Sequence, residues 1–392
     1  MSIEWSNWSG SVRCRPHSLA TPASEDEIVR VVCAAAREGR SIRVAGTGHS
    51  FTPLVATNGV VISLDRWQGL EAGNQSAQSA TVRSGTKLGL LGELLFAHGL
   101  AMENLGDVDV QSLAGAIGTG THGTGHTFRN ISSQVSALRI VTANGEVREC
   151  SEDHEPDLFR AARVSMGMLG VVSTIGLRLV PAFRLHERVW RLPAEECLDR
   201  LDRFITRNER FEFFWYPTSD EAECKTLNRT SASPEQVPEI EGERVGWSAQ
   251  ILPSVRRILF NEMEYAMPAD AGAACFRAVR SRMLARHPEV RWPVEYRTLA
   301  GDDAWLSPAY GRSTVTISIH QDARYPYEPF FDDIEPIFLA HGGRPHWGKI
   351  HSLTSGALRD LYPQWDLFAA ERRAVDPDGR FMNDYLRSLF DT

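Results

Sequence analysis

Arg43-Val44-Ala45-Gly46-Thr47-Gly48-His49-Ser50-Phe51 is a short strand that runs into a glycine turn with a histidine at its tip. Gly46 and Gly48 let the backbone take positive φ and bring its amides close to a ligand. Successive amides in such a turn form an anion-binding nest suited to phosphates. His49 and Ser50 stand where a bound cofactor would pass. The run is not the dinucleotide fingerprint, which needs G-x-G-x-x-G opening a helix; Phe51 and the helix-breaking Pro53 follow instead. A plain tight turn between two strands accounts for these residues equally well.

A second segment shifts that balance. Residues 104–125 read NLGDVDVQSLAGAIGTGTHGTG. Interior glycines each cost about 0.5–1 kcal/mol relative to alanine in regular structure, so the density predicts neither helix nor strand. Leu113, Ala114, Ala116 and Ile117 are apolar, which excludes a linker. Glycine-rich but partly apolar backbone suits packing against a flat ligand, and two such segments in one domain argue for a large nucleotide cofactor.

The chain has 392 residues, enough for two or three domains, with 42% hydrophobic and 23% charged residues, as in ordinary globular proteins. A formal net charge of −8 and the lack of a basic patch argue against a nucleic-acid partner. The start, MSIEWSNWSGSVRCRP, has no apolar core of signal-peptide length, and no apolar run reaches membrane-spanning length. Cys14, Cys33, Cys150, Cys197, Cys224 and Cys275 show no CxxC or metal spacing and read as reduced thiols of a cytoplasmic protein. The pairs His122/His126 and His346/His351 lack acidic or thiol neighbours at ligand spacing. Glycine between the first two forbids a helical i, i+4 site, so no metal is expected.

Along the chain, Ser24 and Glu27 form a capping box before the stripe Ile28, Val31, Val32 and Ala35, with Gly39 as a stop. Strands are expected at Ile42–Ala45, Val60–Leu64 and Thr81–Ser84, and a helix through Leu88–Leu95. Val135–Thr142 and Glu146–Cys150 form a hairpin about Asn144-Gly145, and Met168–Val180 is an apolar strand. Phe211–Tyr216, Trp292–Arg297 and Ser313–His320 read as strands, Ala271–His287 and Glu335–Ala340 as helices, and 231–243 as a loop. Glu295 and Arg297, two apart on a strand, share one face. Thr314, Thr316, Ser318 and His320 line the polar face of another.

The two glycine segments together resemble the flavin-linked oxidases of the vanillyl-alcohol oxidase superfamily. Within it the chain is similar to the aldonolactone oxidase and alditol oxidase group. Asn7-Trp8-Ser9-Gly10, Arg13-Cys14-Arg15-Pro16, Arg344-Pro345-His346-Trp347-Gly348-Lys349 and the tail Asp376–Leu386 carry that likeness. It is strong at both ends and over the first 180 or so residues, and weak from about 185 to 290.

The resemblance implies an α+β fold with a two-subdomain FAD-binding domain at 1–181. It also implies an α/β substrate (cap) domain with an antiparallel sheet at 182–345, and a segment, 346–392, that returns to the FAD domain. It implies FAD joined covalently through His49, whose imidazole adds to the electrophilic C8 methyl of the ring. Arg43, Ala45, Gly46, Thr47, Gly48 and Ser50 would flank the cofactor on one side. Gly106, Ser112, Gly115, Gly118, Thr119, Thr121, His122 and Gly123 would line the diphosphate and ring. Val171 would meet the adenine side, and His346 and Lys349 the flavin. Repulsion by phosphate leaves turn-capping or ribose contact for Asp107 and Asp109.

On the same basis the catalytic set is Glu295, Arg297, His320 and Lys349. Arg297 would stabilise alkoxide character as hydride leaves for flavin N5, Glu295 would orient it, and Lys349 would balance charge on the reduced ring. The substrate implied is an aldono-1,4-lactone, with oxygen or another acceptor reoxidising the flavin. An alditol such as xylitol or sorbitol is the alternative. A non-catalytic nucleotide-binding module is a different reading, opposed by the joint presence of His49, Glu295, Arg297 and Lys349. Alditol oxidases place a serine where Ala116 stands, on a segment expected to cross the reactive face, and this favours the lactone.

Overall fold

The computed structural model describes residues 3–236, 240–254 and 258–391. The expected loop 231–243 includes 237–239, which lie outside the described residues.

Helix Glu25–Arg37 begins as its sequence dictates: Ser24 accepts from the Glu27 amide at 3.2 Å, and Glu27 reaches back to the Ala23 amide at 2.7 Å. Its buried Ile28, Val32 and Ala35 cover a small parallel sheet of Ser18–Ala20, Val60–Ser63 and Ile42–Ala45. A second, antiparallel sheet follows, ordered Val147–Ser151, Val135–Val141, Val171–Arg178, Ser79–Arg83, Leu70–Asn74. These two sheets are the two subdomains of the FAD-type unit.

Within the glycine-rich segment the structure corrects one expectation. Leu113–Thr119 is a short helix, ended by Gly120 in the left-handed region at φ 78°. Its free first-turn amides are satisfied from outside, Leu113 donating to Thr86 O and Ala114 to Ser84 O. Leu113, Ala116 and Ile117 enter the main core, which offsets the glycine cost. Gly115 and Gly118, three apart, fall on one helical face. A side chain at Gly118 would find nothing nearer than the Met166 nitrogen at 4.0 Å, so that face stays flat and open.

Strands between Arg184 and Pro345 form one eight-stranded antiparallel sheet. Its order is Glu243–Trp247, Arg184–Pro193, Glu221–Thr230, Arg210–Tyr216, Val294–Leu299, Thr314–Asp322, Phe260–Pro268, Arg344–Pro345. One face is apolar: Phe213 stacks on Tyr296 at 4.9 Å, and helices Gly272–Arg286 and Glu328–Ala340 cover it. That second helix starts seven residues before the expected Glu335, with Pro336 accommodated inside it. Residues 353–390 pack elsewhere. Leu358, Tyr362, Trp365, Phe368 and Phe390 join the core built by the FAD-type unit.

Candidate active site

The other face of the large sheet is a grid of polar side chains, because residues paired across antiparallel strands project to the same side. One row runs Lys225, Glu212, Arg297, Thr316, and the next Glu295, Ser318, Glu264. A third pairs His320 with Glu262. This face closes a cleft against Trp8, His49, Ser50, Phe51, Gly106, Asp107, Thr121 and His122 of the FAD-type unit and His346, Gly348 and Lys349 of the returning segment. A second, adjoining cleft runs from Arg43–Ser50 past Ser84, Lys87, Ser112, Gly115 and Gly118 to Met166, Gly167 and Val172. His49, Ser50, Gln111 and Thr119 belong to both. The two clefts are continuous through these shared residues, which suits one extended ligand beside a smaller one.

The glycine turn fits a phosphate-bearing cofactor. Among the described residues, none of the five amides from Gly46 through Ser50 donates to a protein acceptor. Amides so placed suit an external acceptor such as a diphosphate oxygen. Ser112 stands directly opposite, its Oγ only 2.4 Å from where a side chain at Gly46 would begin. His49 stacks on Trp8 with ring centroids 5.1 Å apart. Burial, then nearby Lys349, lowers its pKa to about 4, so it is neutral at physiological pH.

Several expected contacts are relocated. Arg43 lines the cleft, but its guanidinium is consumed by backbone carbonyls. It donates to Leu54 O at 2.6 Å, Met166 O at 2.5 Å, Gly167 O at 3.4 Å, and Phe381 O. It therefore shapes the cofactor wall by holding loops together. Val171 is fully buried in the core beneath Glu25–Arg37; strand alternation gives the wall to Val172 instead. Gly123 lines neither cleft, because a side chain there would lie 2.2 Å from Leu105 O. Ala116 is likewise enclosed in the core and reaches neither cleft, so it cannot discriminate among substrate hydroxyls.

Asp107 has a partner that sequence reasoning did not consider. Arg297 Nη2 meets Asp107 Oδ2 at 2.9 Å and also Glu295, while Nε meets Glu212 Oε2 at 3.2 Å. Burial opposes the charge, but Asp107, then Glu295 and Glu212, hold Arg297 well above the ordinary guanidinium range. The oxygens of these three acids lie within 4.8 Å of one another, a spacing that would suit a metal ion, and the guanidinium is their cation. Lys225 Nζ, 2.9 Å from Glu212, backs the group from the next strand.

Lys349 pairs with Glu262, and its ammonium lies 5.2 Å from the Phe51 ring centre. Burial works against ionising Glu262, yet Lys349 and then His320 keep its pKa below the usual carboxylate value. His320 Nδ1 donates to Pro293 O at 2.8 Å, with Nε2 at 3.7 Å from Glu262. His122 lines the substrate-side cleft rather than the diphosphate one, its Nε2 3.0 Å from Glu264 Oε1. Glu264 also accepts from Ser318 Oγ at 2.6 Å. Sequence reasoning missed Glu262 and Glu264; their i, i+2 spacing in Phe260-Asn261-Glu262-Met263-Glu264 is the signal that marks one strand face.

The profile of D-arabinono-1,4-lactone oxidase matches residues 175–248 and 239–389. That of an FAD-binding domain matches residues 16–151. Over 99% of its length and 99% of the relative's, the chain is 39% identical to L-gulono-1,4-lactone dehydrogenase of Mycobacterium tuberculosis.

The chain belongs to the D-arabinono-1,4-lactone oxidase family.

This family membership and the FAD-binding domain make it an FAD-dependent oxidoreductase. It is also 29% identical to an alditol oxidase of a Streptomyces species over the whole of both chains. Cholesterol oxidase from B. sterolicum superposes with a TM-score of 0.86, covering 100% of this chain and 97% of that one. At 15% identity it shows the shared fold. No helix among the described residues is long and apolar enough to cross a membrane.

Proposed function

We propose that the protein oxidises a carbinol of an aldono-1,4-lactone, and that the substrate lies on the polar sheet face between Arg297 and Lys349. The observation that carries this reading is the opening of that face onto His49, at the junction with the cleft whose free amides suit a diphosphate. FAD, when bound, supplies the hydride-accepting ring. Arg297 is held by three carboxylates through Nε and Nη2, so its plane is fixed before substrate arrives and Nη1 remains for a substrate oxygen. Fixed donors of this kind stabilise charge that develops on oxygen as hydride leaves. Glu295 orients the guanidinium, His320 stands beside it on the next strand, and Lys349 offers positive charge to the reduced cofactor.

We further propose that His49 carries the cofactor covalently. Its neutral imidazole has the lone pair that bonding to the C8 methyl carbon would require, and FAD with an electron acceptor would supply the accompanying two-electron oxidation. The division 1–181, 182–345 and 346–392, oxygen or another acceptor as oxidant, and a cytoplasmic location belong to the same proposal. The six unbridged cysteines support that location.

Open-chain alditols are the second reading. The end-to-end likeness to an alditol oxidase favours it, and with Ala116 in the core an objection to polyols falls away. Steady-state assays of L-gulono-, L-galactono- and D-arabinono-1,4-lactone against xylitol and sorbitol decide between them. A kcat/KM for either polyol tenfold above all three lactones would overturn the lactone assignment.

A further inference from the structure

His122 and His346 face the same cleft with ring centroids 6.0 Å apart, and their hydrogen-bond partners differ. At His122 both nitrogens meet acceptors: Nδ1 lies 2.8 Å from Gly123 O and Nε2 3.0 Å from Glu264 Oε1. At His346 the arrangement is reversed. The Gly348 amide donates to Nδ1 at 3.1 Å, so Nδ1 carries no proton and the single proton of the neutral ring sits on Nε2.

The turn that imposes this is braced at both ends. His346 N donates to Glu264 O at 3.0 Å, and Gly348 O accepts from Phe51 N at 2.7 Å. A side chain at Gly348 would crowd Ser50 Oγ at 3.1 Å and the His346 ring at 3.4 Å, so glycine is what lets the amide approach. His346 is 5% exposed and lines the cleft, and the hydrogen bond of its ring among the described residues is made through Nδ1, which leaves the Nε2–H for a ligand in the cleft.

We infer that His346 is a neutral hydrogen-bond donor of fixed tautomer, whose Nε2–H binds the oxygen of the substrate carbinol. It is thus a catalytic donor that takes no part in proton transfer. This rests on the reading of the cleft as the substrate site. His346 shares its cleft with Glu295 and Arg297 and does not line the adjoining one with the free amides, and this proximity to the proposed substrate groups is the ground for assigning the accepting oxygen to the substrate. The groups that act on the ring are Glu264 and Glu262, which favour the charged form, and Lys349 and His122, which oppose it. Burial outweighs all four and brings its pKa down to about 4. An imidazole kept neutral by its surroundings can still polarise a substrate oxygen, because its remaining N–H donates without giving up the proton.

Nitrogen-15 NMR of histidine-labelled holoenzyme tests the tautomer directly, with the His346 signals identified by their loss in His346→Ala. The expected result is an unprotonated Nδ1 and a protonated Nε2, unchanged from pH 5.5 to 8. A protonated Nδ1, or titration inside that window, overturns the inference. In stopped-flow reduction by the best substrate, His346→Ala should lose roughly 10²-fold, as for one oxyanion donor. His346→Gln should recover part of it, with the pH profile keeping its shape. FAD retention and sulfite affinity should be unchanged. If they fall while the reduction rate holds, the donor serves the flavin and the substrate assignment is overturned. If no lactone or alditol reduces the wild-type flavin, the proposed function fails while the NMR result still decides the tautomer.

Discussion

Arg297 Nη2 lies 2.9 Å from Asp107 Oδ2, and this ion pair joins the cap sheet to the glycine-rich segment that walls the cofactor side. This contact ties the two walls of the cleft together. Arg297→Ala should lower the rate of flavin reduction by roughly 10²–10³. Asp107→Asn should cost less, roughly tenfold, because Glu212 and Glu295 still hold the guanidinium. Stopped-flow reduction with the best substrate gives both values. A change confined to KM would mean that Arg297 contributes only ground-state binding.

Attachment through His49 should survive denaturation. Precipitation in acid should leave the yellow chromophore on the polypeptide, whereas His49→Ala should release it. Burial and Lys349 bring the His49 pKa down to about 4, so the nucleophilic neutral form is complete above pH 5. The rate of covalent incorporation into apoprotein should be flat from pH 5.5 to 8 and decline only toward pH 4. An inflection near 6.5 would contradict the buried, neutral histidine.

Lys349 and Glu262 should shift flavin electrostatics in opposite directions. Lys349→Ala removes positive charge and should weaken the sulfite adduct, whose flavin is anionic, and slow reduction. Glu262→Gln leaves the ammonium uncompensated and should strengthen the adduct. Sulfite titrations followed by flavin absorbance measure both; parallel shifts would show that the pair acts only as structure.

Arg43→Ala should destabilise the fold without touching chemistry directly. It abandons the carbonyls of Leu54, Met166, Gly167 and Phe381 in a buried setting. A loss of about 3 kcal/mol is expected, at the upper end for an unsatisfied buried group. Urea unfolding of the holoprotein measures it, and Arg43→Lys should recover only a fraction because one ammonium cannot reach four carbonyls.

Much of this architecture is legible in the sequence. Periodicity and capping residues locate helix Glu25–Arg37, and alternation puts Glu295 with Arg297 and Ser318 with His320 on single strand faces. Asn144-Gly145 marks its hairpin, as glycine at φ 84° allows. What sequence reasoning misses depends on tertiary placement. Glycine content argues against the helix at Leu113–Thr119, where external carbonyls and core burial outweigh propensity. The Arg297 partner of Asp107 is invisible to local reasoning, because it lies 190 positions away on a strand of the large sheet. Glu262 and Glu264 escape notice because strand Phe260–Pro268 is buried on both sides, so their alternation with Met263 and Tyr265 reads as an ordinary solvent-facing edge when only the sequence is seen.

The backbone of Ile42 donates to Arg380 O at 2.8 Å, and Phe381 fills the core beneath the first helix. The unit that meets FAD first in sequence is therefore completed last in synthesis. On a translating ribosome the first 181 residues emerge without the strand neighbour, the carbonyl for Arg43 and the aromatic filler that they need. The large sheet can assemble during that interval, and cofactor capture waits for chain release. Ribosome-bound chains stalled before residue 346 should fail to retain FAD, while released full-length chains bind it. A truncation near the end should therefore harm FAD loading as much as a lesion in the glycine turn.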